Sequence, residues 1–323
     1  MARITEYGVK GDLYNRLQMY DKSKGLLAAA LLIDSNLPAG QSELYAWLGT
    51  TASMRQWIGP RLVANPNAFS YQIQNKKFEN SMQVGLDLVK NDKTQQVDLL
   101  VSSLASSYPL WMIETLAALV NAGTTTLGFD NQNFFSATHS FARSGTFSNA
   151  ANSASTGGTQ AAVSPLTAAT ALNLAIELMK AFPDDQGRVI KNEMMDKVVL
   201  AYQAGTVNAS AIRTALNTVN DGILASGTGS VNNPLTGQDV SITAVASGLL
   251  TTGNTVFSMF RHRDDLGKGM IFQENHDELL NSIITEASAE YVIFNDAWFV
   301  GLKTVGNAGF GLPNDAIQIT FIA

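Results

Sequence analysis

The sequence contains no cysteine, which excludes disulfide bonds, catalytic thiolates and zinc–thiolate sites. It has only three histidines, and His262 and His276 lack further ligands at metal spacing, so we interpret them as surface residues. Long hydrophobic runs are also absent. The longest one near the start, residues 26–33, is too short to cross a bilayer and lies too late for the core of a signal peptide. We therefore expect synthesis in the cytosol.

Charge is scarce and unevenly distributed. Charged residues make up 15% of the chain and hydrophobic residues 46%, as in a folded protein, and 323 residues suffice for two domains. Residues 55–93 have an excess of lysine and arginine, whereas residues 270–323 carry seven acids and one lysine. Opposite patches can guide copies of one chain onto each other, although two ordinary solvated surfaces would give the same pattern. No run is basic enough for a nucleic-acid groove.

The longest regular pattern lies in residues 93–123, where apolar side chains recur at steps of three and four residues. This stripe consists of Val97, Leu100, Val101, Leu104, Tyr108, Trp111, Met112, Leu116, Leu119 and Val120. Asp92 and Gln95 fit a capping box at its start, and Gly123 fits the position after its end. Pro109 removes one backbone hydrogen bond inside the stripe. We predict a long, kinked helix on which other parts of the chain are mounted.

Strand patterns precede this helix. Residues 69–74 and 82–88 alternate apolar and polar side chains, and turn candidates occur at 65–67 and 75–77. These features predict a two-stranded β-ribbon within residues 60–90. Such a ribbon is marginal alone in water, so its apolar face needs a partner surface in the same chain or in another copy.

The segments before the ribbon have a different character. Residues 1–25 are polar and show no core pattern, which suggests an extended arm held by a neighbouring subunit. Residues 41–61 concentrate tryptophan, tyrosine and arginine between glycines that interrupt a helical tendency. Such clusters occur both in cores and as interface anchors, and both interpretations stay open.

A second module follows a loop of small and polar residues at 144–164. Ser164 and Pro165 fit the cap and first residue of a helix that ends near Pro183, and residues 208–219 carry a second helical stripe. Strands are predicted at residues 197–202, 240–245, 256–260, 291–294, 298–303 and 316–323. Because strands and helices do not alternate regularly, the pattern predicts an α+β fold.

The residue types that carry enzyme chemistry do not combine into a site. Asp130 and His139 fit an orienting acid and a base, but no nucleophile motif accompanies them, and a structural histidine is the alternative. The glycines of residues 306–311 match no phosphate-binding motif and suggest a turn. The acid pairs at 184–185 and 264–265 lack metal-ligand spacing and indicate solvated loops. We predict no catalytic, cofactor or metal residue, and a hydrolase remains the alternative from another class.

Three stretches stand out around the predicted helix: YAWLGTTASMRQWIGPR at residues 45–61, YQIQNKKFENSMQV at 71–84 and GFDNQNFFSATH at 128–139. These stretches resemble the Mu-like major head subunit family of tailed phages. Their order around the predicted helix also resembles major capsid proteins with the Hong Kong 97-like fold. The resemblance implies a non-enzymatic major capsid protein. Such a protein self-assembles into hexamers and pentamers that form an icosahedral or prolate head shell around double-stranded DNA.

The resemblance also implies a division of the chain into five parts. These are an N-terminal arm with a Trp-rich turn (1–54), an extended β-ribbon loop (55–93), a peripheral domain with the spine helix (94–164), an axial domain (165–300) and a C-terminal strand returning to the peripheral domain (301–323). The residues expected to contact neighbouring subunits are Trp47, Arg55, Trp57, Arg61, Phe69, Tyr71, Lys76, Lys77 and Phe78.

Further copies of the chain are the main partners that the resemblance implies. No scaffolding domain precedes the arm in this sequence, so a separate scaffolding protein is expected, together with a portal and, in some heads, a decoration protein. An acidic shell would enclose DNA without adhering to it through counterion release, and no membrane contact is expected. Assembly in the bacterial host cytoplasm and a final location in the virion follow. An encapsulin-like compartment, which shares the fold and packages protein, is the alternative.

Overall fold

The computed structural model describes residues 25–48, 68–91, 96–153, 162–189, 195–218, 223–226, 229–253, 255–262, 269–275, 280–286 and 288–322. The α-helices in these ranges are α1 (Leu86–Asn91), α2 (Gln96–Asn121), α3 (Pro165–Lys180), α4 (Val207–Asn217) and α5 (Glu290–Asn295). The strands are β1 (Ala30–Asp34), β2 (Ser42–Leu48), β3 (Ala68–Gln74), β4 (Lys76–Gly85), β5 (Ala150–Asn152), β6 (Lys197–Gln203), β7 (Ile223–Ser226), β8 (Gly229–Asn232), β9 (Ser241–Ser247), β10 (Val256–Arg261), β11 (Met270–Glu274), β12 (Leu280–Ile284), β13 (Ala297–Phe310) and β14 (Ala316–Thr320).

The first sheet is built around β13, the 14-residue strand. β4 pairs antiparallel with it from Ala297 to Gly306, and β12 and β11 pair with successive parts of its other edge. β1 extends the sheet as a parallel neighbour of β11. Helix α2 packs on one face of this sheet, and its buried side chains share a core with those of β13 and β11.

Helix α2 confirms the long helix that the sequence predicts. Most of the predicted stripe is buried, whereas Leu100 is 38% exposed and Trp111 is half-buried. Pro109 lies within the helix, and the predicted capping box falls at residues 92–95, outside the described residues. Within the described ranges, no helix is both long and apolar enough to cross a membrane.

Gly123 follows α2 at the predicted position, but without the left-handed backbone that is common for a glycine after a helix. It is not among the glycines with positive φ. A Cβ at this position would lie 2.5 Å from Cδ2 of Phe135, so only glycine lets the ring pack against the helix end. The position is therefore fixed by a close approach rather than by backbone conformation.

The segment after residue 24 is not part of a free arm. The short 3₁₀ helix Gly25–Ala29 buries Leu26 and Leu27 against α2, and β1 then joins the first sheet. The predicted arm of residues 1–54 is therefore corrected for residues 25–34. The reason is the hydrophobic run at 26–33, which finds cover within its own chain.

The second sheet has the strand order β5-β14-β10-β6-β9. Helices α3 and α4 share a second core with β6, β10 and β14. Ser164 caps α3 as predicted, because its Oγ accepts a hydrogen bond from the Thr167 backbone N–H at 3.1 Å. The terminal strand β14 lies in this second sheet. Of residues 301–323, which were predicted to return to the peripheral domain, only residues 301–310 in β13 join the first sheet, on which α2 packs.

Two segments adopt a different secondary structure from the predicted one. Residues 291–294, predicted as a strand, lie in α5, which Asp296 ends in the left-handed conformation at φ 46°. Residues 306–311, predicted as a turn, lie mostly in β13. Gly306 and Gly309 are instead sites of close packing: a Cβ on Gly306 would overlap the Gln273 carbonyl oxygen, and one on Gly309 would overlap Ile73.

The predicted ribbon is wrong in its pairing. β3 pairs with β2, in register from Ser42 opposite Gln74 to Leu48 opposite Ala68, whereas β4 pairs with β13. Only Asn75 separates β3 from β4, and one residue is too few to turn a chain back into a hairpin. The two strands therefore follow one another into different sheets. The antiparallel hairpin is β2–β3, and its tip, residues 49–67, lies outside the described residues.

A buried ion pair lies where β10 ends beside the start of β14, its antiparallel neighbour in the second sheet. Arg261 at the end of β10 and Asp315 just before β14 are both fully buried, with Nη2 and Oδ1 2.7 Å apart. Their charges compensate each other in a region of low dielectric. Removing one partner leaves the other charge buried, which is strongly destabilising.

We expect Asp315→Asn to lower the free energy of unfolding by about 3–5 kcal/mol, because it removes the carboxylate charge that compensates the buried Arg261 guanidinium. Urea unfolding of the unassembled subunit measures this. Asp239→Asn is the matched control, since it removes the exposed Lys180–Asp239 pair and should leave the midpoint unchanged. Equal midpoints for the two variants would refute the role given to the buried pair.

Candidate assembly surface

The hairpin β2–β3 forms a two-stranded sheet of its own. Leu44 on β2 is 55% exposed, and Ser70 and Gln72 on β3 are exposed as well. Two predicted contact residues, Trp47 and Phe69, occupy opposing positions in the register of this hairpin. Three others, Arg55, Trp57 and Arg61, belong to the tip and lie outside the described residues.

The base of the hairpin is held by a buried amide. Asn75 is 1% exposed. Its Nδ2 donates to the Leu37 carbonyl oxygen at 2.8 Å and to Ser35 Oγ at 3.2 Å. Its Oδ1 accepts from Nε2 of Gln273 at 2.6 Å. Because both ends of the amide are satisfied, the side chain fixes the position where β3 leaves the hairpin.

Gln273 on β11 connects this base to the first sheet. Its Nε2 also donates to the Ile73 carbonyl oxygen at 2.9 Å, and its Oε1 accepts from the Tyr45 hydroxyl at 2.7 Å. From β13, Nδ2 of Asn307 donates to the Gln74 carbonyl oxygen at 2.9 Å. Both strands of the hairpin are thus attached to the first sheet at one end.

Tyr71, a predicted inter-subunit contact, packs at this base within its own chain. Burial raises the pKa of Tyr71, and a hydrogen bond with the Phe310 backbone opposes that shift. The ring and Ile73 fit because Gly309 has no side chain. The sequence feature behind this contact is the glycine pair at 306 and 309. The sequence alone does not show that a side chain at Gly309 would overlap Ile73.

The predicted contact residues of β4 differ in exposure. Lys76 and Lys77 are exposed. Phe78 faces α2, where its ring centre lies 4.9 Å from that of Trp111. These rings and Glu114 line a cleft of about 240 Å³, and Trp111 Nε1 has no hydrogen-bond partner among the described residues. Phe78 therefore contributes to a cleft wall on its own subunit.

Behind this cleft, helix α2 is tied to the first sheet by a buried hydrogen bond. The Tyr108 hydroxyl donates to Oε2 of Glu274. Burial, followed by the negative charge of Glu274, raises the pKa of Tyr108 well above its ordinary value. The neutral phenol is therefore favoured by folding.

Asp130 and His139 are brought together, as a catalytic interpretation would require, but not in a cleft. His139 Nδ1 lies 2.6 Å from Asp130 Oδ2, and both side chains are buried. His139 Nε2 lies 3.1 Å from the Phe134 carbonyl oxygen and 3.0 Å from Asn149 Oδ1. Both ring nitrogens face oxygen atoms, so neither is available to activate a nucleophile. The arrangement fits the structural alternative, in which polar contacts of the imidazole ring stabilise the loop between α2 and β5.

The other polar candidates are structural as well. Asp184, expected in a solvated loop, is 3% exposed and accepts from the backbone N–H groups of Gln186 and Arg188, each at 2.8 Å. It closes a tight turn in which Gly187 has φ 77°. His262 Nδ1 lies 2.7 Å from the Ala28 carbonyl oxygen, so this ring is partly buried and holds the segment before β1. His276 and the pair at 264–265 lie outside the described residues.

Comparison with known proteins agrees with the resemblance read from the sequence. Residues 28–172, a little under half of the chain, match the model of the Mu-like prophage major head subunit gpT family. The chain is 27% identical over 110 residues to the major capsid protein of Escherichia phage Mu, which covers 34% of this chain and 35% of that protein. It is 29% identical over 98 residues to the Mu-like prophage FluMu major head subunit of Haemophilus influenzae, covering 30% and 32%. The aligned part thus spans about a third of the length of these relatives.

The fold is also found among solved structures. The chain matches the procapsid of bacteriophage JBD30 with a TM-score of 0.52 and 19% identity, over 98% of this chain and 76% of that one. The predicted α+β, Hong Kong 97-like capsid fold is therefore confirmed, as is the resemblance to the Mu-like head subunit family over residues 28–172.

We expect Asn75→Leu to loosen the hairpin base. It leaves one N–H of Gln273 Nε2 without its acceptor, while the other keeps the Ile73 carbonyl, and it leaves the Leu37 carbonyl only its bond from Asn275 Nδ2. Since one unsatisfied buried group costs about 1–3 kcal/mol, the unfolding free energy should fall by about that amount. Amide exchange should accelerate at Gly40, whose N–H donates to the Asn75 carbonyl oxygen. Gln72→Leu, at an exposed position of the same hairpin, serves as the control. Identical exchange at Gly40 in both variants would contradict the anchoring role.

The raised pKa of Tyr108 predicts a specific pH dependence. Because the folded-state pKa exceeds the unfolded-state value, the stabilisation is complete below about pH 10 and is lost as the pH rises beyond it. Tyr108→Phe removes the Glu274 hydrogen bond, so the variant should be less stable at pH 8. That difference should shrink towards pH 11, which urea unfolding at several pH values measures. A constant difference would contradict the assignment.

Proposed function

We propose that this chain is the major head protein of a tailed phage or prophage. It self-assembles into hexamers and pentamers that form an icosahedral or prolate shell around double-stranded DNA. The observation that carries the proposal is the hairpin β2–β3, a separate two-stranded sheet attached at its base, in a chain with a capsid fold. The match of residues 28–172 to the gpT family supports the same function.

The hairpin requires a surface that its own strands do not supply. A two-stranded sheet is at best marginally stable in water, yet this one has seven residues in each strand and an exposed Leu44. Neighbouring copies would supply the missing surface. Contacts of this kind are weak individually and add up when they repeat around closed rings.

The domain division is revised accordingly. The extended loop corresponds to Ser42–Gln74, the peripheral domain to the first sheet with α2, and the axial domain to the second sheet with α3 and α4. The arm is limited to residues before Gly25. Within the extended loop, Trp47, Arg55, Trp57, Arg61 and Phe69 remain proposed inter-subunit contacts, as do the exposed Lys76 and Lys77 just after it.

The proposed partners follow from a shell of this kind. Scaffolding, portal and decoration proteins would act during assembly in the bacterial cytoplasm, and the finished head would be the location of the protein. The shell would contact DNA without reading its sequence. The buried setting of His139 supports a non-enzymatic role. An encapsulin-like compartment would differ in its contents, since particles would hold protein rather than DNA, and the gpT match favours the head shell.

Removing the hairpin tip should abolish assembly and leave the fold intact. Leu48 and Ala68 are directly opposite, so an Asn-Gly turn in place of residues 49–67 closes the hairpin in register. We expect the wild-type chain to form shells or rings in negative-stain micrographs, and the shortened chain to remain monomeric with an unchanged circular dichroism spectrum.

A Gly/Ser insert of the same length as residues 49–67 separates loss of reach from loss of side chains. If the contacts are made by the Trp and Arg side chains, this variant should also fail to assemble. Shells formed equally well by the shortened chain would contradict the proposed function of the hairpin.

A further inference from the structure

Helix α5 presents an apolar surface that the described residues of the chain leave uncovered. Ile293 is 64% exposed and Phe294 is 79% exposed. The opposite side of the helix is packed: Val292 is 3% exposed, and the Tyr291 ring lies 5.5 Å from that of Phe299 on β13. The helix is therefore fixed in orientation, with two adjacent hydrophobic side chains directed away from the first sheet. We call Ile293 and Phe294 the α5 knob.

The surroundings of the α5 knob are acidic. Glu290 and Asp296 flank it on the helix, and Glu286 precedes the helix; all three are exposed. Exposed hydrophobic side chains with a charged rim are typical of an interaction surface. A partner that covers them should offer an apolar floor and basic groups at its edge.

The same chain carries a groove with those properties. It lies on the face of the first sheet opposite α2, because residues alternate along β4 and β13, and Phe78 and Leu302 point to the helix side. The groove has a volume of about 290 Å³, and the side chains of Lys77, Glu79, Ser81, Phe299 and Lys303 line it together with Gly301. We call it the β4–β13 groove.

The floor of the groove is apolar because of a glycine. A Cβ on Gly301 would lie 2.8 Å from Cε1 of Phe299, so the aromatic ring extends over the glycine and forms the floor. Lys77 is exposed at the rim, and Lys303 stands opposite Glu79 in the pairing of the two strands. Lysines outnumber acids around the groove, which is the reverse of the α5 knob.

We propose that the α5 knob of one copy inserts into the β4–β13 groove of a neighbouring copy. The inference rests on the proposed shell, and it assigns to that shell a second contact, separate from the hairpin. A second copy is the occupant because the knob and the groove are complementary in polarity and in charge. The knob and the groove consist of different residues, so the contact is heterologous, and it generates a ring where the rotation between copies closes.

The absence of cysteine makes a direct test available. One chain carries Asn295→Cys, beside the knob and with Phe294 intact, and a second chain carries Ser81→Cys in the groove. The two chains are co-assembled, oxidised with copper–phenanthroline and separated on a non-reducing gel. Since each chain has a single cysteine, a heterodimer reports only a contact between copies. We expect a heterodimer band several-fold stronger in the mixture than any dimer band from either chain alone.

Val207→Cys is the matched control for the knob position. Val207 is 60% exposed, but it lies at the start of α4, which packs on the second sheet and not on the first. Co-assembly of the Val207→Cys chain with the Ser81→Cys chain should therefore give no heterodimer. Adding Phe294→Asp to the Asn295→Cys chain should remove either the disulfide or the particles, because the knob is then charged.

The outcomes separate this contact from the proposed function. Particles that form normally, with a heterodimer band no stronger than in the Val207→Cys control, overturn the inference and leave the shell standing. The same holds if Phe294→Asp leaves the disulfide undiminished. Failure of the unmodified chain to form any particle would instead contradict the proposed function itself.

Discussion

The structure depends on a buried polar anchor at the point where a hairpin meets a sheet. Gln273 donates a hydrogen bond to Asn75, and each amide also donates to a backbone carbonyl, in a buried setting where an unpaired amide would be costly. This network determines where β3 ends and β4 begins. The anchor holds the hairpin in one position relative to the first sheet. A neighbouring molecule can therefore bind the hairpin with less loss of conformational entropy than the binding of a flexible loop would cost.

The two cores give that projection a rigid support. Helix α2 covers one face of the first sheet, and α3 and α4 cover the second sheet. The cores are adjacent at β10, where Phe260 belongs to the first and Phe257 to the second. Because protein interiors are closely packed, movement of such a body would be a rigid-body displacement rather than an internal repacking.

The sequence predicted those elements whose signal is local. Helix α2 follows from a long stripe of apolar residues, α3 from the Ser164–Pro165 start, and β6 and β10 from short hydrophobic runs. Partners of strands were not predictable in the same way, since the alternation of residues 69–74 indicates a strand but not that its neighbour is β2. The resemblance to capsid proteins was visible because it rests on whole stretches of sequence rather than on pairings.

The errors share a physical cause. Residues 291–294 have β-forming side chains, and their surroundings nevertheless place them in a helix. Gly306 and Gly309 are explained by neighbours distant in sequence, Gln273 and Ile73. The amides of Asn75 and Gln273 likewise lie far apart in the chain, so no local pattern marks them as the hairpin anchor.

A reconstruction of assembled particles by cryo-electron microscopy, at a resolution that traces individual strands, tests the proposed role of the hairpin most directly. The hairpin Ser42–Gln74 of each copy should lie across the body of an adjacent copy, with its base unchanged at Asn75. A hairpin folded back over α2 of its own chain, with no neighbour against it, would contradict that role.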